Sequence, residues 1–405
     1  MAKRKTATTQ QKETETKNKI NRKHLLDALV KVRPGIANKE VVENSTHFNF
    51  SPDRIWTDND EISVAQKFNS GITGSIKAQE FYDLIAKLPF DEVFIDQKED
   101  KVFISDNNRF EAIIKTIQTT RQQGANPPES NSKKWMKLPS NFSKAATFCV
   151  FSASKNITKP ELTCIFFVQD DDKAFAISCD GYRGTMFYLN DNIAKDFLLP
   201  ANVAKHMKTY NPTKYIVEDA WMHFMNNENT VISCRVLGGE YPEQIWGFFD
   251  VDGDQVALPQ GTGDVIRRVE TLVTEEFDQD RAIEMVFSKD KLTCIGKGPL
   301  GSVTEKIEID YKGKENSIKV HPTLLADILK HLSTVQLGER LKFCAEDFEH
   351  CVCLFESTEE ETEETVEDEV VDESSVEEEV ETVDMSGEEE VIEEEKPVTT
   401  RRRKK

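Results

Sequence analysis

The chemistry-bearing residues of this sequence crowd into AISCDGYRGTM, residues 176–186, where Cys179, Asp180, Tyr182 and Arg183 surround Gly181. A thiol, a carboxylate, a phenol and a guanidinium so close together could form a catalytic corner or a metal corner. They also make a turn. Asp-Gly between two apolar runs signals a β-hairpin, because glycine supplies the positive φ that tight turns require.

Two further stretches invite metal chemistry. FCAEDFEHCVC sets Cys344, His350, Cys351 and Cys353 close together, as a zinc site would. Zinc ligand pairs are normally spaced CxxC or wider, however, and alternation makes this segment the last strand of a repeat. DVDGDQVALPQG, from Asp250, is as acidic as a calcium loop, but its glycine stands fourth instead of sixth. Gly261 then fills the twelfth place, where a bidentate glutamate is needed. It reads as a linker. The seven histidines form no HxH or HExxH, and no GxSxG, P-loop or GxGxxG occurs. No catalysis, metal or cofactor is expected.

These residues must be positioned by a threefold repeat. Three segments share a layout of amphipathic helix, strand, polar turn and strand. The first is KAQEFYDLIAKLPFDEVFIDQKEDKVFIS, with Phe81, Leu84, Ile85 and Leu88 as one helical stripe. The others are PANVAKHMKTYNPTKYIVEDAWMHFMNNENTVISCRV and HPTLLADILKHLSTVQLGERLKFCAEDFEHCVCLF. A strand-turn-strand block precedes each: RIWTDNDEISVAQKF, AFAISCDGYRGTMFYL and LTCIGKGPLGSVTEKIEI. A first helix opens each repeat: NRKHLLDALVKVR, PSNFSKAATFCVFSAS and GDVIRRVETLVTEE. The expected fold is α+β in three tandem domains, 20–127, 139–249 and 263–356, with linkers at 128–138 and 250–262. CDGYRG takes the place of WTDND and GKGPLG in the other repeats, so it reads first as a structural turn.

Charge is unevenly spread. Of the net −21 over 405 residues, the stretch from Glu356 to Lys405 carries 22 acidic and 6 basic residues, a balance of −16, which leaves −5 for the rest. The tail, 357–405, lacks large apolar residues and is expected to be disordered, ending in the basic cluster RRRKK. Residues 1–19 are polar, mildly basic and expected to be loose. Eight cysteines without CxxC, and no apolar run near the N-terminus fit for a signal peptide or a membrane span, point to the cytoplasm and away from membranes. Basic residues recur on or beside the helices: Arg22, Lys23, Lys31, Arg33 and Lys39; then Lys144, Lys155, Lys159, Lys205 and Lys208; then Arg267, Arg268 and Lys330. Each alone is a solvated face, but recurrence in three repeats favours a shared surface.

Three motifs, in order and spacing, resemble the bacterial-type sliding clamp, the beta subunit of the replicative DNA polymerase. They are HLL at 24–26, CDGYRG at 179–184 and GEYPE at 239–243, and the resemblance covers residues 20–356. Cys179 and Tyr182 stand where that family has Thr and His, and Gly184 where it has Leu. CVCLFES runs into the acidic tail in place of a short apolar C-terminus. Such divergence suits a bacteriophage or another fast-evolving replicon.

The resemblance implies a crescent of three DNA-clamp domains, two of which close head to tail into a ring with helices inside and sheet outside. It implies a non-enzymatic processivity factor without cofactor. Its partners would be duplex DNA, bound without sequence preference, the polymerase, a clamp loader and a second copy of itself. The basic residues above, Arg33 apart, would face DNA. The dimer ends would lie near Arg109 and Phe110 in the first domain and Leu272 and Val273 in the third. A partner-peptide pocket would use Leu162, Asp180, Gly181, Tyr182, Arg183, Pro242, Val352 and Leu354, with Arg183→Ala weakening binding without unfolding. An alternative is a clamp-like scaffold presenting its acidic tail to basic partners. A carbohydrate or nucleotide enzyme on repeated domains would need an acid, base or nucleophile constellation that the sequence does not supply.

Overall fold

The computed structural model describes residues 18–356 except 41, 119–124, 126, 276 and 277. The acidic tail and most of the N-terminal arm, with the expectations placed on them, lie outside the described residues.

The first repeat runs β1 (Asn18–Asn21), α1 (Arg22–Val32), β2 (His47–Ser51), β3 (Arg54–Asp58), β4 (Ile62–Lys67), β5 (Gly74–Lys77), α2 (Ala78–Lys87), β6 (Glu92–Lys98), β7 (Lys101–Ser105) and β8 (Glu111–Lys115). The second runs β9 (Met136–Lys137), α3 (Phe142–Cys149), β10 (Cys164–Asp170), β11 (Lys173–Cys179), β12 (Arg183–Tyr188), β13 (Phe197–Pro200), α4 (Ala201–Ala204), α5 (Met207–Tyr210), β14 (Lys214–Val217), β15 (Trp221–Met225), β16 (Val231–Arg235) and α6 (Ile245–Phe248). The third runs β17 (Asp254–Ala257), α7 (Thr262–Val269), β18 (Ile283–Ser288), β19 (Lys291–Gly298), β20 (Gly301–Glu308), β21 (Asn316–Val320), α8 (Pro322–Ile328), β22 (Thr334–Leu337), β23 (Arg340–Cys344) and β24 (Phe348–Phe355).

Helix formation follows the apolar spacing. In α1, Leu25, Ala28, Leu29 and Val32 are buried on one face, and the Asn21 side chain caps the helix by accepting from the His24 N–H at 3.1 Å. Each fully buried leucine contributes about 1.5–3 kcal/mol. In α7, Val265, Ile266 and Val269 face inward while Arg267 and Arg268 are left exposed. The single helix expected near 200–211 is broken at Lys205 and His206, where the His206 N–H bonds back three residues to Val203 O at 2.9 Å.

Every repeat builds two four-stranded half-sheets by the same rule. Their orders are β5-β2-β3-β4 and β1-β6-β7-β8, then β13-β10-β11-β12 and β9-β14-β15-β16, then β21-β18-β19-β20 and β17-β22-β23-β24. The opening strands β1, β9 and β17 correct the sequence reading. Asn18 and Lys19, read as loose, pair with Ile95 and Phe94; Met136 and Lys137, read as linker, pair with Tyr215 and Lys214; Asp254–Ala257, also read as linker, pairs with β22. Strands this short and polar carry no periodicity of their own and exist because a neighbour's edge needs its backbone groups paired.

Half-sheets then join between repeats. Strand β4 pairs antiparallel with β16, Ile62 opposite Cys234 and Ala65 opposite Val231. Strand β12 pairs antiparallel with β24, Arg183 opposite Val352 and Phe187 opposite Phe348. The corresponding edges left over are β8 and β20, each last in its half-sheet and unpaired on its outer side among the described residues.

Candidate functional site

The stretch 179–184 is a hairpin turn between β11 and β12. Gly181 takes φ +94°, and the Asp180 carboxylate accepts from the Tyr182 and Arg183 N–H groups at 3.0 and 2.9 Å. Burial pushes the Cys179 thiol up to about 11, which removes it as a nucleophile near neutral pH. Arg183 turns inward. Its Nε donates to Asp180 Oδ2 at 3.1 Å, its Nη1 to Asp327 Oδ2 of α8 at 3.2 Å, and its guanidinium lies 5.1 Å from the Phe151 ring centre. With its side chain only 11% exposed, Arg183 ties the second repeat to the third.

The other residues expected in the pocket gather unevenly. Val352 is opposite Arg183, the Cys353 N–H donates to Tyr182 O at 2.8 Å, and Leu354 follows on β24. Leu162 and Val352 are buried, while the Tyr182 side chain is 46% exposed. Leu162 shares one apolar cluster with Cys179, Tyr241 and Cys351, and Pro242 follows Tyr241 where the chain enters α6.

Sequence reading missed Phe248, Phe249 and Arg340. A Cβ on Gly184 would stand 3.0 Å from the Phe248 ring and 3.3 Å from that of Phe249, and the Arg340 guanidinium lies 5.0 Å over Phe248. The aromatic run IWGFF, one residue after GEYPE, was the available signal for the two phenylalanines. Leucine at 184, the residue of the resembled family, meets filled space here. Gly184→Leu is expected to cost about 1–3 kcal/mol through overpacking, read as a lowered urea midpoint, with Gly184→Leu/Phe248→Ala recovering part of it.

The cysteine and histidine cluster near the C-terminal strand is dispersed. Cys344 is exposed, Cys351 is buried in the apolar cluster, and the His350 Nδ1 lies 2.9 Å from the Thr185 hydroxyl across the junction. Among the described residues no group of three His, Cys, Asp or Glu side chains could hold a metal ion. Burial first, then the Arg183 cation, pushes His350 down to about 3. A histidine held neutral in the fold but protonated when unfolded below about pH 6.5 weakens the fold as pH falls from 6.5 towards 3, by about 1.4 kcal/mol per pH unit. Urea unfolding at pH 7 and pH 5 should show this loss, and His350→Asn should flatten it.

The basic residues fall into two groups. Lys31, Lys144, Arg267, Arg268 and Lys330 are engaged with Glu228, Asp347, Asp264, Glu305 and Asp327. Lys23, Lys39, Lys155, Lys159, Lys205 and Lys208 are exposed and, among the described residues, unpaired with any carboxylate. Arg22 donates to Ala86 O at 3.2 Å. Of the residues expected at the chain-end interface, Arg109 is exposed and Phe110 packs on Phe90, while Leu272 is half-buried and Val273 is buried within the third repeat. The surface apolar residues near the open edges are Ile113 at 58%, Ile117 at 49% and Leu300 at 85% exposed.

Three repeats of eight strands under a helical layer, fused sheet to sheet, define the three-domain processivity-clamp architecture. Within that class the chain has the fold of the bacterial DNA polymerase III beta subunit. A DNA polymerase III beta chain from Streptococcus pneumoniae matches with a TM-score of 0.72 at 18% identity, covering 84% of this chain and 99% of that one. The DNA polymerase sliding clamp from Bacillus subtilis matches at 0.71 and 16%, covering 84% and 98%. The DNA polymerase III subunit beta sliding clamp from Bartonella birtlesii, solved bound to griselimycin, matches at 0.73 and 15%, again covering 84% and 98%. No family model and no curated protein matches the chain. No helix among the described residues is long and apolar enough to cross a membrane.

Proposed function

We propose that this protein is a non-enzymatic DNA sliding clamp, a replication processivity factor that closes as a head-to-tail homodimer around duplex DNA. The observation that carries this reading is the pair of open edges. Two of the three possible antiparallel junctions between repeats form inside the chain, and the third, β8 with β20, needs a second copy. A ring held by topology needs no tight grip. Exposed lysines that meet phosphates loosely, without base readout, suit sliding. The near-neutral body with cations recurring on its helices is compatible with positive potential focused in the lumen. A polymerase and a clamp loader would dock beside Tyr182, on the surface backed by Leu162, Pro242, Val352 and Leu354. The low identity to cellular clamps fits a phage or another fast-evolving replicon in a bacterial cytoplasm.

Primer extension on circular DNA with the cognate polymerase and loader tests the reading. Long products that depend on this protein support it, and unchanged product length rejects it.

A further inference from the structure

The second repeat carries a cavity of about 770 Å³ with no role in the clamp reading. Its floor is apolar, built by Phe166, Val168, Leu198, Met222 and Ile245. Trp246 stands at its wall, 38% exposed and edge-on to Phe175 at 5.5 Å. Its rim is acidic: Asp170 at the end of β10 and Asp196, Glu218, Asp219, Glu240 and Glu243 from three loops converge there, and Lys195 is the one cation among the described lining residues. Two of these are engaged, Asp196 accepting from the Gln169 N–H at 2.9 Å and Glu218 lying 3.7 Å from Lys134. Among the described residues no lysine or arginine pairs with Asp170, Asp219, Glu240 or Glu243. Four exposed, uncompensated carboxylates around an apolar hollow repel one another, and a concave low-dielectric wall strengthens their field.

We propose that this cavity docks a short partner peptide whose lysines or arginines flank an apolar anchor. The volume lies within the range of small-ligand and peptide-anchor sites, and the floor rewards burial of one large apolar side chain. Rim carboxylates and the Trp246 face meet the flanking cations. The charge excludes nucleic acid, and an uncharged apolar ligand would leave the rim repulsion in place. The site is distinct from the turn at 180–183, since Tyr182, Arg183, Val352 and Leu354 do not line it and Pro242 alone is common to both. It goes beyond the clamp reading, and loss of this site leaves basal ring closure intact.

The test titrates the full chain at low salt with fluorescein-labelled KWKKLK, the charge-reversed EWEELE and the anchorless KGKKGK. Expected is KWKKLK binding roughly tenfold tighter than either control. Asp219→Lys/Glu243→Lys, both exposed positions, should weaken it roughly tenfold, and hydrogen exchange should slow in residues 237–249 on binding. Trp246→Ala gives a second variant should the double reversal impair folding. Equal affinity of the variants, equal binding of KGKKGK, or exchange protection confined to residues 357–405 overturns the proposal.

Discussion

Ile113→Asp should leave the chain folded and turn the proposed head-to-tail dimer into single chains. Ile113 lies on the open edge β8 with its side chain 58% exposed, so a carboxylate there stays hydrated in the isolated chain and costs it little. Across a closed β8–β20 junction the same carboxylate takes the place of an apolar cross-strand neighbour on the outer face of the sheet and is partly desolvated, at a cost of about 1–1.5 kcal/mol per junction. A head-to-tail dimer contains this junction twice, so each copy carries the penalty. We expect the dissociation constant of the dimer to rise by about thirty- to a hundredfold, equivalent to about 2–3 kcal/mol. Mass measurement in solution reads the dissociation, and retention on circular DNA reads its consequence. Ile157→Asp, at an exposed loop position remote in sequence from both edges, is the control that should remain dimeric. A wild-type protein that is strictly monomeric would remove the basis of the ring.

Arg183→Ala should destabilise the fold by about 2–3 kcal/mol. The side chain ties Asp180 on the β11–β12 turn to Asp327 on α8 and packs on Phe151, so removal severs three contacts at one junction. Truncating one member of a fully buried pair costs about 3–5 kcal/mol; partial exposure of both carboxylates lowers the expectation here. Asp327 keeps its second partner, Lys330, at 2.7 Å. Arg183→Lys preserves charge but loses the fork that spans two carboxylates, and should fall between the wild type and the alanine variant. Denaturant midpoints give the order. This outcome revises only the expectation that Arg183 can be removed without cost to the fold, and leaves its role in partner contact to a binding measurement. Unchanged stability would restore that expectation.

Much of the architecture was legible because local periodicity is a physical record of burial. The α1 stripe from Leu25 to Val32 and the alternation of Val102 and Ile104 on β7 each announce which face meets the core. Asp180-Gly181 announced its turn for a similarly local reason, the need for positive φ. What escaped were features made by distant segments. Strands β1, β9 and β17 are two to four residues long and take their conformation from the edges they cover. Phe248 fills the space above Gly184 through a contact that neither residue's neighbourhood encodes. The acidic cavity draws its rim from residues spread over 170–243, each an ordinary solvated carboxylate in sequence.

By itself, then, the sequence determined three repeats, their hairpins, the turn at 180–183 and most of their helices, the one near 200–211 being broken in the fold, since these depend on residues close in the chain. Only the tertiary structure decided that Arg183 turns inward, that β4 meets β16 and β12 meets β24, and that β8 and β20 are left open. Side-chain periodicity selects the face a strand buries, whereas its lateral neighbour is chosen by closing contacts across more than a hundred residues, where loop entropy and the packing of the whole body weigh together.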